Sequence, residues 1–416
     1  MTAAADPPPP VAEERGRTPT RAAREAAVEA RTSPVELLWD LVFVFAVTQV
    51  TTLLAASLSW AGFGRSMLVL ALVWWAWSAF VWAANAQGER SGVMRAVLLV
   101  ATGFIFVAGL ALPRAFGSEG ALFAGCYAVV RFLHLALYAD ASRRGHAAWS
   151  AIAGFAVTVG AGMALLIAGA AVSGLARDLA WVAAVAIDYA GPAWLTRDRL
   201  RGIQAVAVAH FAERYSLFVI ICLGESIVSI GTAALGTHPG SGGLSAGRVL
   251  TVALALAITV GLWWLYFDRA AERAERRLRE HGDPVLAAAD GYSYLHLPIV
   301  AGIIIFAVGA RALVRGGAAD ALAGPARLAL CGGIALYLAA HLAFTVRLGA
   351  RMDLLRPGAG SARGPWPRLA AVVALLVLYA AAGRLAAWAV AALAVVVLAA
   401  LGIAEGARAG EQRAGG

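Results

Sequence analysis

Apolar residues occur in long, nearly continuous runs along most of the chain, with polar positions gathered between them. Runs of roughly 17 to 25 residues, the length that crosses ~30 Å of hydrocarbon at 1.5 Å per residue, recur along nearly its whole length. They lie at residues 35–57, 66–86, 96–112, 120–139, 149–172 and 178–196, and then at 210–231, 248–267, 292–314, 326–347, 369–384 and 386–404. Only Gly383 and Arg384 part the last two, so one long broken helix is the alternative there. The pattern predicts an all-α, polytopic membrane protein of about twelve transmembrane helices.

Several runs carry side chains that a lipid-facing helix excludes. The first holds Glu36, Asp40 and Gln49. An ionisable group at bilayer depth costs at least ~2.5 to 3.5 kcal/mol on insertion scales, so such a group marks an ion path, a substrate site or a helix pairing. Glu36 and Asp40 lie one turn apart on one helix face. Arg131 and His134 sit in the fourth run, Asp188 in the sixth, and His210, Glu213 and Arg214 open the seventh. Asp268 closes the eighth, His296 with Pro298 opens the ninth, and His341 lies in the tenth. Glu225 is the deepest acid, twelve residues and so ~18 Å beyond Glu213. Beside it, Ser226 and Ser229 add hydroxyls, and Gly224 offers room for a neighbouring helix to approach closely.

Composition agrees with the pattern: 61% of residues are hydrophobic, 14% are charged and the mean hydropathy is +0.75. All 34 basic residues are arginine. With those at the span ends counted in the flanking loops, 24 fall on one side of the twelve-span topology, 7 on the other and 3 within spans. The positive-inside rule then places both termini in the cytoplasm. The net charge of +9 is spread over short loops, which argues against nucleic-acid binding; membrane lipid is the expected surface partner. Residues 269–279 interleave Arg with Glu and read as a solvated cytoplasmic helix.

The expected layout is a disordered cytoplasmic tail over residues 1–34, a first six-helix half over 35–196, a linker over 197–209, a second half over 210–404 and a cytoplasmic tail over 405–416. Features of the first half recur in order in the second. Glu36–Gln49 resembles Glu213–Ser226, Leu72–Trp77 resembles Gly261–Tyr266, and Val100–Gly109 resembles Ile299–Val308 with Gly103 opposite Gly302. Six spans restore the starting orientation, so these would be two parallel six-helix repeats, as in several secondary transporters. Chance likeness among spans rich in Ala, Val, Leu and Gly is the competing reading.

Other chemistry has little footing. The histidines form no His-x-x-x-His pair, so no metal is expected, and no cofactor is implied. Without lysine there is no standard phosphate-binding loop, and Ser226 lies in Gly-Glu-Ser rather than a nucleophile elbow. Cys126, Cys222 and Cys331 fall inside spans and imply no disulfide framework.

The stretches Glu36-Leu-Leu-Trp-Asp40, His210-Phe-Ala-Glu-Arg214, Leu223-Gly-Glu-Ser226, Trp263-Trp-Leu-Tyr-Phe-Asp268 and Tyr294-Leu-His296-Leu-Pro298 together resemble the bacterial low temperature requirement A family. The chain departs from that pattern at Leu38-Trp39, where two Phe are usual, and at Ala86-Gln87-Gly88, where Arg-Phe-Asp is usual. The resemblance implies a multi-pass inner-membrane protein associated by name with growth in the cold, and supplies no activity.

The reading put first is a proton-coupled secondary transporter or permease of an unknown small-molecule or ion substrate. Glu225 would be its binding acid, and Glu36, Asp40, Glu213 and Arg214 would line the cytoplasmic entrance. Arg131, Asp188, His210, Ser226 and His296 complete the expected pathway. The alternatives are an intramembrane enzyme acting on a lipid or lipid-linked substrate, and a non-catalytic membrane protein supporting cold tolerance. Short loops favour transport, because no sizeable extramembrane domain is available to hold a soluble substrate.

Overall fold

The computed structural model describes residues 32–87, 92–143, 149–191, 207–236, 245–268, 270–350 and 366–414. Most of the expected N-terminal tail and most of the 197–209 linker lie outside these residues. The helices are α1 (Pro34–Ala56), α2 (Trp60–Gln87), α3 (Gly92–Ala111), α4 (Gly120–Arg143), α5 (Trp149–Ala170) and α6 (Leu175–Ala190). The second half has α7 (Val208–Leu235), α8 (Ala246–Phe267), the short α9 (Ala270–Arg279), α10 (Pro284–Ala288), α11 (His296–Arg315), α12 (Gly324–Thr345), α13 (Trp366–Ala381) and α14 (Ala387–Ala414).

Among the described residues, eleven helical stretches are long and apolar enough to cross a membrane. The protein is thus an all-α, multi-pass membrane protein. α6, with 16 described residues, covers part of the sixth expected span, whose continuation from residue 192 lies outside the described residues. The last two spans are separate helices. A turn at Ala382–Arg384 reverses the chain, and the start of α14 is tied to the 316–323 loop by Ala387 N–H donating to Asp320 O (2.7 Å) and Trp388 N–H to Ala318 O (3.2 Å). The final helix continues to Ala414, where a tail is expected.

Large apolar side chains on the outside, among them Leu41, Val157, Val396 and Ile403, are exposed and suited to lipid contact. Inside, α11 and α12 pack so closely that a Cβ at Gly302 would lie 2.6 Å from Tyr337 N, a small-residue contact common between membrane helices. Gly103, its partner in the repeat comparison, has open space around it instead. Trp74 is likewise fully buried, whereas Trp263 is exposed. Even so, five neighbour pairs recur in both halves. α1 packs on α3, α3 on α4, α4 on α5, α5 on α6, and α2 on α6; α7 packs on α11, α11 on α12, α12 on α13, α13 on α14, and α8 on α14. The halves meet where α1 and α2 contact α7 and α11.

α9 buries Ala270, Ala274 and Leu278 on one face and exposes Glu272, Arg276 and Arg279 on the other, as the Arg/Glu alternation implies. α10 runs into α11 through a π-helical turn at Ala289–Tyr294, a distortion that often marks functional sites. The side on which α1 begins and α9 lies is called the Arg-rich side below.

Candidate functional site

Polar groups collect where the two halves meet, in three clusters. The first is an ion cluster near the Arg-rich end of α1 and α7. Ser33 N–H and Oγ–H donate to Glu36 Oε2 at 3.0 and 2.9 Å, which ties the acid to the helix start. His210 Nε2 lies 3.4 Å from the same oxygen. Arg214 Nη2 donates to Asp40 Oδ1 at 2.8 Å, and Trp77 Nε1 donates to that oxygen at 2.7 Å. Arg214 Nη1 is 3.4 Å from Glu36 Oε1. All four ionisable groups are buried, so they do not line an open entrance. Two carboxylates face one guanidinium, and His210 is the fourth group beside them. Glu213 is only half-buried and joins no ion pair among the described residues. Consecutive helical residues point about 100° apart, so Glu213 cannot share the direction of Arg214.

Next to this cluster, Tyr215 OH lies 2.6 Å from Ser78 Oγ and 2.9 Å from Ser293 Oγ, and Trp82 Nε1 donates to Ser293 Oγ at 2.8 Å. Ser293 belongs to the π-helical turn, and its carbonyl accepts from Trp74 Nε1 at 2.7 Å. The distortion thus brings one hydroxyl of the second half into contact with α2 and α7. The second cluster continues into a third, in which Arg131 Nη2 donates to Asp188 Oδ1 at 2.6 Å beside His134. A cavity of about 50 Å³ opens there, bounded also by Ser78 and Ser293.

Glu225 stands apart. Phe43 and Phe218, with Trp39, Trp74 and Trp77, form an aromatic layer between it and the ion cluster; the Trp77 and Phe218 rings are 4.4 Å apart. Beyond that layer Thr48 Oγ–H donates to Glu225 Oε2 at 2.5 Å and Ser229 Oγ–H to Oε1 at 3.0 Å. No ion-pair partner lies within 4 Å among the described residues, although the charge of Arg311 on α11 acts on the carboxyl from further off. Gly224 faces open space, with no neighbouring helix against it. Ser226 donates back to Cys222 O at 3.3 Å and takes no part in holding Glu225. His296 is also elsewhere: Tyr266 OH is 2.8 Å from its Nε2 and Gly291 O is 3.0 Å from its Nδ1, so both nitrogens are engaged in local packing.

Thr48, Trp77, Ser78, Tyr215 and Ser293 are not among the site residues that the sequence singles out. For Thr48 a signal was present, since the pairing of Glu36–Gln49 with Glu213–Ser226 sets Thr48 opposite Glu225. The two residues that match in the repeat comparison touch each other in space.

The sequence model for bacterial low temperature requirement A proteins matches residues 31–403. An uncharacterized protein of Rhizobium meliloti (strain 1021) is 31% identical over 293 residues, covering 69% of this chain and 70% of that protein. No solved structure matches. The motifs gathered around α1, α7 and the π-helical turn therefore lie within a match that spans most of the chain, which belongs to the bacterial low temperature requirement A family.

Proposed function

We propose that the protein is a proton-coupled secondary transporter of the bacterial plasma membrane, built from two parallel six-helix repeats, with its Arg-rich side in the cytoplasm. The arginine distribution supports the orientation, and the recurring neighbour pairs together with the Thr48–Glu225 contact support the duplication. Polar clusters on both sides of a single aromatic layer fit a protein that opens to one side at a time.

The observation that carries the proton assignment is the Thr48 hydroxyl. It has one hydrogen and two acceptors in reach, Val44 O at 3.0 Å and Glu225 Oε2 at 2.5 Å. A proton on Oε2 lets the carboxyl donate to Thr48 while Thr48 donates to Val44 O, so every group is satisfied. Loss of that proton leaves two acceptors competing for one hydrogen and a carboxylate without a cation beside it. Glu225 is thereby a group whose protonation changes the hydrogen bonding between α1 and α7.

The test is purified protein in liposomes with a pH-sensitive dye inside, screened against metabolite pools under an imposed proton gradient. The expected result is substrate-dependent proton movement that Glu225→Gln lacks, because Gln copies the protonated acid and cannot release a proton. Absence of such movement in the wild type, or full activity in Glu225→Gln, overturns the proposal.

A further inference from the structure

On the outside of the helix bundle, α8 and α14 pack together yet leave a groove of about 450 Å³ toward the Arg-rich side. Its walls run from Ala257 to Asp268 on α8 and from Val395 to Gly406 on α14, so it is roughly 16 Å long at 1.5 Å per residue. That length is one leaflet. The hydrocarbon of a whole bilayer is ~30 Å thick, so the groove reaches from the Arg-rich surface to about the midplane. Its deeper part is apolar, with Ala257, Val260, Val395 and Leu398 among its walls, and Gly402 leaves open space where a side chain would stand. Its charged walls, Asp268, Arg273 and Glu405, lie at the Arg-rich end. Trp264, more than half exposed, stands one turn before Asp268, at the level where tryptophan gathers in membrane proteins.

We propose that this groove binds one phospholipid from the leaflet on the Arg-rich side, with an acyl chain along α8 and α14 and an amine-bearing zwitterionic headgroup over Asp268 and Arg273. A groove with apolar walls that opens into a bilayer meets acyl chains, and filling it with water instead would leave those walls wetted. The length match sets the leaflet and the depth. The headgroup follows from charge balance. Glu405 is already matched by Arg368, whose Nε and Nη2 donate to its two oxygens at 2.6 and 3.1 Å. The remaining charged walls are one cation, Arg273, and one anion, Asp268; Arg276, Arg277 and Arg279 of α9 do not line the groove. A phosphate beside Arg273 and a primary ammonium beside Asp268 answer both charges, and the ammonium also meets the negative end of the α8 dipole. A headgroup with a phosphate alone would set a second negative charge near Asp268. Asp268 and Arg273 also interact within the protein, but both are exposed, where such contacts are weak enough for a headgroup to share them.

The test is native mass spectrometry of the purified full-length protein, stripped of lipid in detergent and offered phosphatidylethanolamine and phosphatidylglycerol with identical chains. Expected is a retained phosphatidylethanolamine, favoured at least ~3-fold over phosphatidylglycerol. Asp268→Asn should abolish that preference, and Arg273→Gln should weaken retention of both lipids. Gly402→Leu puts a side chain into the groove and should reduce retention of both at least ~10-fold. It also replaces a helix glycine without a clash, so its thermal midpoint in the absence of lipid should not fall. Added phosphatidylethanolamine should raise the wild-type midpoint and leave that of Gly402→Leu unchanged. If Gly402→Leu folds poorly, the loss of preference in Asp268→Asn carries the test. No retained lipid in the wild type, no preference for phosphatidylethanolamine, the same preference in Asp268→Asn, or undiminished retention in a folded Gly402→Leu overturns the site. A dimer that Gly402→Leu splits would also overturn it, because the groove would then belong to a second copy of the chain.

Discussion

On the Arg-rich side α1 and α7 bring Glu36 and Asp40 against Arg214, whereas roughly 16 Å further along the same helices they bring Thr48 against Glu225. The first meeting buries charges that offset one another, with Trp77, Ser33 and His210 taking further lone pairs. Removal of Arg214 strands both carboxylates. The second buries one carboxyl among hydroxyls, and a single proton removes its charge without stranding any partner. A helix pair joined in these two ways is held in register at one end and can change state at the other.

The largest effect should come from breaking the charged end. Arg214→Met leaves Glu36 and Asp40 facing each other in a buried site, at a cost of ~3 to 5 kcal/mol. The expected outcome is little folded protein in detergent and a lower thermal midpoint for what remains. Asp40→Asn in that background should recover part of the loss, because the two effects are coupled. Wild-type thermal stability in Arg214→Met would mean that the cluster contributes nothing to registry. A smaller effect is expected from Thr48→Val at the other end. It removes the hydroxyl between Val44 O and Glu225 while keeping the volume, for ~0.5 to 1.5 kcal/mol, read as a modest downward shift of the same midpoint.

The difference between the two ends also marks how far the sequence could be read. The spans were legible because a bilayer demands a continuous apolar length, which leaves a direct trace in the chain. Glu36, Asp40 and Arg214 were legible as interior groups for the same reason of cost, but their pairing was not, since Asp40 and Arg214 are 174 residues apart. Of the two hydroxyls that the sequence sets near Glu225, Ser229 at i+4 reaches it, whereas Ser226 at i+1 points about 100° away. Ser293 could not have been found, because a π-helical turn, invisible in apolar periodicity, is what carries it to Ser78 and Tyr215.

Glu225→Gln should have the smallest effect on stability and the largest contrast with Arg214→Met. The amide nitrogen can donate to Thr48, as a protonated carboxyl would, and the amide oxygen can accept from Ser229. No charge is stranded, because no ion-pair partner lies within 4 Å of Glu225 among the described residues. The thermal midpoint should therefore change by less than the shift from Thr48→Val, corresponding to under ~1 kcal/mol. If Glu225→Gln instead destabilises as much as Arg214→Met, then Glu225 is ionised and paired in the resting protein. The two ends of the α1–α7 contact would then be charge-locked alike, and the distinction between a registry end and a switching end would fail.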